Sequence, residues 1–156
     1  MRKLEVTDDE ANILITILKK ILKNYQVDLG PGNKADIQLK SISSHNFILT
    51  YFTPPYRDDK ISIHLREKDT NTNLVRVNID PVGFHKNSDG EKINGNRILL
   101  FSSEEWVNKN DGATHVKAYD LPSDFSDTSN LEQVLLDFLM YINVKQEGKI
   151  VFPSLL

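Results

Sequence analysis

Cysteine is absent from the chain, and with it go disulfides, a thiolate nucleophile and any Cys-based zinc site. A chain without cysteine suits a reducing compartment, so a cytoplasmic location is expected. Long apolar runs are also missing. The longest near the N-terminus, Ile13 to Leu18, is interrupted by Thr16 and stopped by Lys19 and Lys20. It falls far short of the ~20 apolar residues that a membrane span needs. No signal peptide and no N-glycosylation triplet is present, so no membrane association is expected. Neither sign of charge dominates: 19 Lys and Arg stand against 22 Asp and Glu, a net charge of -3. Sequence-independent nucleic-acid binders are basic, because phosphate neutralisation supplies their affinity. Direct binding of nucleic acid is therefore not expected, and the chain is too weakly acidic to act as a polyanion mimic. A protein or small-molecule partner fits the charge balance better.

Several signatures are missing as well. There is no Gly-rich P-loop, no dinucleotide-binding glycine pattern and no nucleophile elbow. The four histidines, His45, His64, His85 and His115, show neither i, i+2 spacing on a strand nor i, i+4 spacing on a helix. No cofactor and no metal is expected.

What is present reads as one α+β domain over residues 1–156. The length of 156 residues favours a single unit, and a chain of that size buries about 68–70% of its unfolded surface. Thr7-Asp8-Asp9-Glu10 has the form of a capping box. Ala11, Leu14, Leu18, Ile21, Leu22 and Tyr25 then recur at helical spacing, with Lys19, Lys20 and Lys23 where the helix dipole favours cations. The spacing predicts a helix from about Asp8 to Asn24. Gly30-Pro31-Gly32-Asn33 breaks the chain. Period-2 alternation follows at Ile37 and Leu39, at Phe47, Leu49 and Tyr51, at Ile61, Ile63 and Leu65, and at Val75, Val77 and Ile79. It predicts strands with one buried and one wetter face, joined as an antiparallel meander. Asn94-Gly95 predicts a hairpin joining Glu91–Ile93 to Arg97–Phe101. Asn108 to Gly112 reads as a polar loop, and Val116 to Leu121 as a further strand. Ser129 and Glu132 form a second capping-box pattern before a helix carrying Leu131, Val134, Leu135, Phe138, Leu139 and Ile142. Lys149 to Phe152 reads as a short tail strand. The expected architecture is an antiparallel sheet packed against an N-terminal and a C-terminal helix.

The most distinctive local feature is His85-Lys86-Asn87-Ser88-Asp89-Gly90. One reading is a polar site, with an imidazole as base or ligand beside an amide and a carboxylate. The other, favoured by composition, is a turn-rich connector, since Asn, Asp and Gly tolerate positive φ. The segment fails as an EF-hand, because its first position is not acidic and its twelfth is Asn96. Arg66, Arg76 and Arg97 all fall on the wet face of the sheet and together would bind a carboxylate or phosphate. The plainer reading pairs each with a nearby acid such as Asp80, Asp89 or Glu91. Tyr51, Phe52 and Tyr56 flank Pro54-Pro55, and Trp106 reads as part of a polar loop. These four aromatics are candidate interface anchors, and equally candidate lids of a small core.

Leu74-Val75-Arg76-Val77-Asn78-Ile79, then His85-Lys86-Asn87-Ser88-Asp89-Gly90, then Gly95-Asn96-Arg97-Ile98-Leu99-Leu100-Phe101 resembles a family of small uncharacterised bacterial proteins found in prophages and other mobile elements. The family pattern is Leu-hydrophobic-Arg-hydrophobic-Asp-Ile, His-x-Asn-Pro-Asp-Gly, and Gly-Thr-His-hydrophobic-His-hydrophobic-Tyr. Val116 to Leu121 and Phe138 to Asn143 extend the resemblance, which covers about residues 47 to 144. The pattern is degenerate here: the alternating histidines fall on Arg97 and Leu99, and the proline on Ser88. Two histidines on one strand face beside a third would serve a metal or acid–base chemistry on a phosphodiester, and Leu99 can do neither.

With no complete catalytic set, the reading leans away from an enzyme. The resemblance implies a non-enzymatic binding protein of phage or mobile-element origin acting on a host protein, for example an inhibitor of a bacterial defence system of the anti-CRISPR kind. The alternative is a toxin-like RNA phosphodiesterase, with His85 as acid or base, Arg76 and Arg97 clamping phosphate, and Asp89 orienting. A third reading is a regulatory small-molecule or carboxylate sensor built on the arginine face.

Overall fold

A computed structural model describes residues 4–153, so residues 1–3 and 154–156 of the expected domain lie outside the described residues. Within that span the fold is α+β, with three helices and twelve strands. Helix α1 (Asp8–Thr16) starts at the predicted capping box: the Glu10 amide donates to the Thr7 hydroxyl at 3.1 Å, and the Thr7 amide donates to the Glu10 carboxylate at 3.4 Å. The helix is shorter than the periodicity predicts. It stops at Thr16, Ile17 is extended, strand β1 (Lys19–Ile21) takes up part of the rest of the expected helix, and β2 (Tyr25–Gln26) follows just beyond it. β-branched Ile13, Ile15, Thr16 and Ile17 weaken the helix end. Lys19 and Ile21 alternate with exposed Leu18, Lys20 and Leu22, a strand pattern nested inside the helical one.

Strands β3 (Lys34–Ser41), β4 (Asn46–Phe52), β5 (Ile61–Glu67) and β6 (Thr72–Ile79) form the predicted antiparallel meander. It continues through β9 (Arg97–Phe101) and β10 (Val116–Asp120), while β1 and then β11 (Val144–Lys145) extend the opposite side, giving the order β10-β9-β6-β5-β4-β3-β1-β11. Only the β1–β11 pair of this sheet is parallel. The alternating residues Ile37, Leu39, Leu49, Ile63, Leu65, Val75 and Val77 are buried in one core with Ala11, Leu14 and Ile15 of α1 and with Val134, Leu135, Phe138 and Leu139 of α3 (Leu131–Tyr141). Helix α3 is capped by Asn130, whose side chain accepts from the Gln133 amide at 3.1 Å. The expected Ser129–Glu132 box is not formed, because Ser129 instead bonds Asp127. Strand β12 (Ile150–Val151) pairs with β2 in a small parallel sheet. No helix of the described residues is long and apolar enough to cross a membrane.

Two further expectations are corrected. Asn94-Gly95 does not join the two strands beside it. Strand β8 (Lys92–Asn94) pairs with β7 (Phe84–Lys86), whereas β9 pairs with β6 and β10. Gly95 alone takes a positive φ, and its amide donates to the Gly83 carbonyl at 2.8 Å. The chain thus leaves the sheet after β6, makes a separate hairpin, and returns. Trp106 is not in a loop either. It lies half-buried on helix α2 (Ser103–Lys109), capped by Ser102 and closed by Asn110 in the left-handed conformation.

Candidate functional site

Core residues occupy one face of the large sheet; the other carries the polar positions of the same alternation. Cross-strand register arranges them in rows. One row runs Asp36–Thr50–His64–Arg76–Leu99–Ala118, and the next runs Lys34–Phe52–Ser62–Asn78–Arg97–Asp120. Over β3 to β6 this face reaches solvent: Gln38, Phe52 and Arg76 are exposed, and Ile48, Ser62, His64, Arg66 and Asn78 are half-buried. Toward β9 and β10 the β7–β8 hairpin closes the face. Ile93 of the hairpin packs with Leu99 and Ala118 in a small second core.

The His85–Gly90 segment makes that closure. The Asn87 side chain is buried, accepts from the Ala118 amide at 2.8 Å and donates to the Ala118 carbonyl at 3.0 Å. One amide thereby pairs with the β10 backbone as a neighbouring strand would, covering part of an open sheet edge. The Ser88 amide and hydroxyl donate to Glu105 of α2, a carboxylate with almost no exposure. Gly90 closes the turn with φ 91, a conformation that only glycine adopts at no steric cost. Asp89 accepts from the Glu91 amide and lies 3.7 Å from Lys117. It is therefore not brought to His85 or Arg97. His85 is half-buried, with a buried Nε2 that meets no hydrogen-bond partner. Burial, then the charges of Lys109 and Arg97, lower its pKa, so the ring is neutral near pH 7.

The three arginines share the outer face but not one environment. Arg66 donates to the Asn71 side chain at 2.8 Å. Arg97 is only 7% exposed; its Nη1 donates to the Gly95 carbonyl at 2.8 Å, its Nη2 lies 3.9 Å from Asp80, and its Nε has no acceptor. Arg76 donates through Nε to the Ser62 hydroxyl at 2.9 Å, and among the described residues it makes no ion pair. Withdrawal from water, then the neighbouring charge of Arg97, lower its pKa, although the side chain still reaches solvent. Among the described residues Asp80 faces only Arg97 of the three and is shared with Lys60 at 3.4 Å, so the pairing with acids that the plainer reading expects is not formed at Arg66 or Arg76. His64 lies beside Arg76 in the register; burial first, then the charges of Arg76 and Arg66, lower its pKa to about 4.

The aromatic candidates divide. Tyr51 is 4% exposed and belongs to the core, so it is no surface anchor. Trp106 stacks near His115, with ring centroids 5.9 Å apart. Phe52, 43% exposed, and Tyr56, 96% exposed, remain on the surface, and Phe52 shares its row with Ser62, Asn78 and Arg97. Sequence reasoning missed Lys60, Ser62 and Asn78. The period-2 pattern that placed Arg76 outward contained the signal for Ser62 and Asn78, but only the strand register puts them in one row. Among the described residues no group of His, Asp and Glu is arranged to hold a metal ion.

No curated protein and no solved structure matches the chain. Residues 6–144, which take in the three helices, most of the large sheet and the hairpin, match a family described as a family of unknown function, and the chain therefore belongs to that family, DUF6978.

Proposed function

We propose that this chain is a non-enzymatic binding protein of phage or mobile-element origin that acts in the cytoplasm by occupying a host protein, an anti-CRISPR-like inhibitor of a bacterial defence system being its concrete form. Its docking surface is the outer face of the sheet. One observation carries the reading: exposed Phe52 and Arg76 lie in adjoining rows of an open sheet face, with half-buried His64 beside them. A large aromatic and an arginine at the centre of a surface are the residue types that dominate interface energies. Lys34, Lys40, Arg66 and Arg76 on this face, against Asp36, suit an acidic partner surface. The provenance rests on the resemblance of residues 74–101 to mobile-element proteins. The RNA phosphodiesterase reading has weaker support, because Asp89 is held by Lys117 and its own turn rather than by His85.

The test is affinity capture from bacterial host lysate with tagged wild-type protein and with Phe52→Ala, Arg76→Glu and Met140→Ala, followed by mass spectrometry. The expected result is a stoichiometric host protein retained by wild type and by Met140→Ala, whose site is exposed on α3, and lost by the two face variants. Retention by all four proteins, or no host protein in any growth condition, would overturn the reading. His85→Ala should leave host-cell growth and RNA integrity as wild type does; an RNA-cleaving activity abolished by that change would favour the phosphodiesterase instead.

A further inference from the structure

We propose that Arg76 and Lys60, backed by buried Arg97, form a binding site for one oxyanion, a carboxylate or a phosphate, above the Ser62–Asn78 pair of the outer sheet face. It rests on the docking reading only in that both use this face.

The geometry supports a single small anion. Ser62 and Asn78 are direct cross-strand partners on β5 and β6. The Arg76 side chain leans onto that pair, since its Nε donates to the Ser62 hydroxyl at 2.9 Å. Its two remaining nitrogens have no protein acceptor among the described residues. Arg97 is the cross-strand partner of Asn78, and Lys60 and Arg97 both reach the carboxylate of nearby Asp80, at 3.4 Å and 3.9 Å. Arg76 and Arg97 thus flank the pair and Lys60 lies against Asp80 beside it; the acids facing these cations are Asp80 and, at Lys60, Asp59, which Arg57 already engages through two hydrogen bonds. Asp120, opposite Arg97 in the register, makes no ion pair with it among the described residues, and Asp36 is engaged by the Thr50 hydroxyl at 2.6 Å.

A second observation is independent of the surface charge. Arg97 is more than nine-tenths buried, yet its Nε has no acceptor, and Asn78 Oδ1 and Asp80 Oδ1 have no donor. Buried polar atoms are nearly always paired. Three such atoms on neighbouring residues mark a place whose polar complement is incomplete. The two oxygens call for a donor such as water; the Arg97 Nε, the one unpartnered donor of the three, calls for an acceptor, and an anion supplies it. A guanidinium binds carboxylate or phosphate through two parallel N–H donors, and Arg76 has those donors to offer. The exposed ring of Phe52, next to Ser62 in the row, gives the site an apolar wall.

The experiment uses the full chain labelled with nitrogen-15, titrated separately with inorganic phosphate and with acetate at constant ionic strength. The Arg76 Nε–Hε signal and the Ser62 and Asn78 amides should shift together and saturate at millimolar anion. Arg76→Gln and Lys60→Gln should each weaken the effect about tenfold or more. Arg66→Gln, on the same face but bonded to Asn71, should not. Saturation by acetate at concentrations comparable to phosphate assigns the anion to an acidic side chain of a docked protein; saturation by phosphate alone assigns it to a phosphate group. Shifts that stay linear and spread over all surface lysines and arginines would overturn the proposal, as would an Arg66→Gln effect equal to that of Arg76→Gln. No host protein takes part, so this site and the docking reading can fail separately. A urea midpoint equal to wild type shows that each variant is folded.

Discussion

Lys19 is fully buried, and its ammonium donates to three backbone carbonyls, those of Ile15 at 2.7 Å, Ile17 at 2.9 Å and Ile142 at 2.8 Å. It also lies 4.9 Å from the centre of the Phe47 ring. Ile15 is in the last turn of α1, and Ile142 caps α3. One side chain thus satisfies carbonyls at the C-terminal ends of both core helices, the groups that a helix leaves unpaired. Burial lowers the Lys19 pKa to about 7, while the carbonyls and the ring face stabilise the charged form. Lys19→Met preserves the stem but strands three buried oxygens. It should cost about 3 kcal/mol, read as a drop in urea midpoint at unchanged slope; a loss within 0.5 kcal/mol, the roughly neutral range of surface changes, would refute the role. The sequence showed that Lys19 sits near a helix end and favours its dipole. It did not show that the lysine serves the helix from a neighbouring strand, because the Ile142 contact spans most of the chain.

At the scale of elements, the β7–β8 hairpin is where local pattern and tertiary structure part. The meander of β3 to β6 was legible because each strand alternates with period 2 and each connection is short. Asn94-Gly95 misled because a turn dipeptide specifies only local backbone. Ile93 packs on Leu99 and Ala118 across the sheet edge, a tertiary contact that the local turn pattern does not contain. The His85–Gly90 segment was visible as a signature, but its purpose depends on Ala118 and Glu105, which are distant in sequence. Asn87→Ala would leave both backbone groups of Ala118 without their partner, at a cost of about 2 kcal/mol. Hydrogen exchange should localise the effect: the Ala118 amide should lose protection by at least about tenfold while amides of β4 and β5 keep theirs. Asn87→Asp, which keeps the acceptor but sets a buried carboxylate oxygen against the Ala118 carbonyl, should cost at least as much. Equal loss across the whole sheet would mean that the hairpin is integral to the core rather than docked upon it.

For the molecule as a whole, composition concealed how charge is distributed. A net charge of -3 argues against polyanion binding, yet the outer sheet face holds Lys34, Lys40, Arg66 and Arg76 close to few acids, and only the register reveals the segregation. That crowding has a consequence for acid stability. His64 stands between Arg66 and Arg76, and its pKa falls from 6.5 to about 4, through burial first and the two guanidinium charges next, with Asp36 opposing. Between those two values the unfolded chain binds a proton at this position and the folded chain does not. Stability contributed by the neutral ring is therefore complete above pH 6.5 and is lost as pH falls toward 4. The pKa of His85 is lowered as well, which adds loss of the same sign. Glu67, whose pKa is also lowered, loses its contribution only below the ordinary carboxylate range. With His64 partly open to solvent, its share is about 2 kcal/mol once screening is allowed for. Urea unfolding at pH 7.0 and pH 4.5 should show that decline in wild type, and His64→Gln, which cannot take up a proton, should remove most of it. A decline of the same size in both proteins would place the acid sensitivity elsewhere.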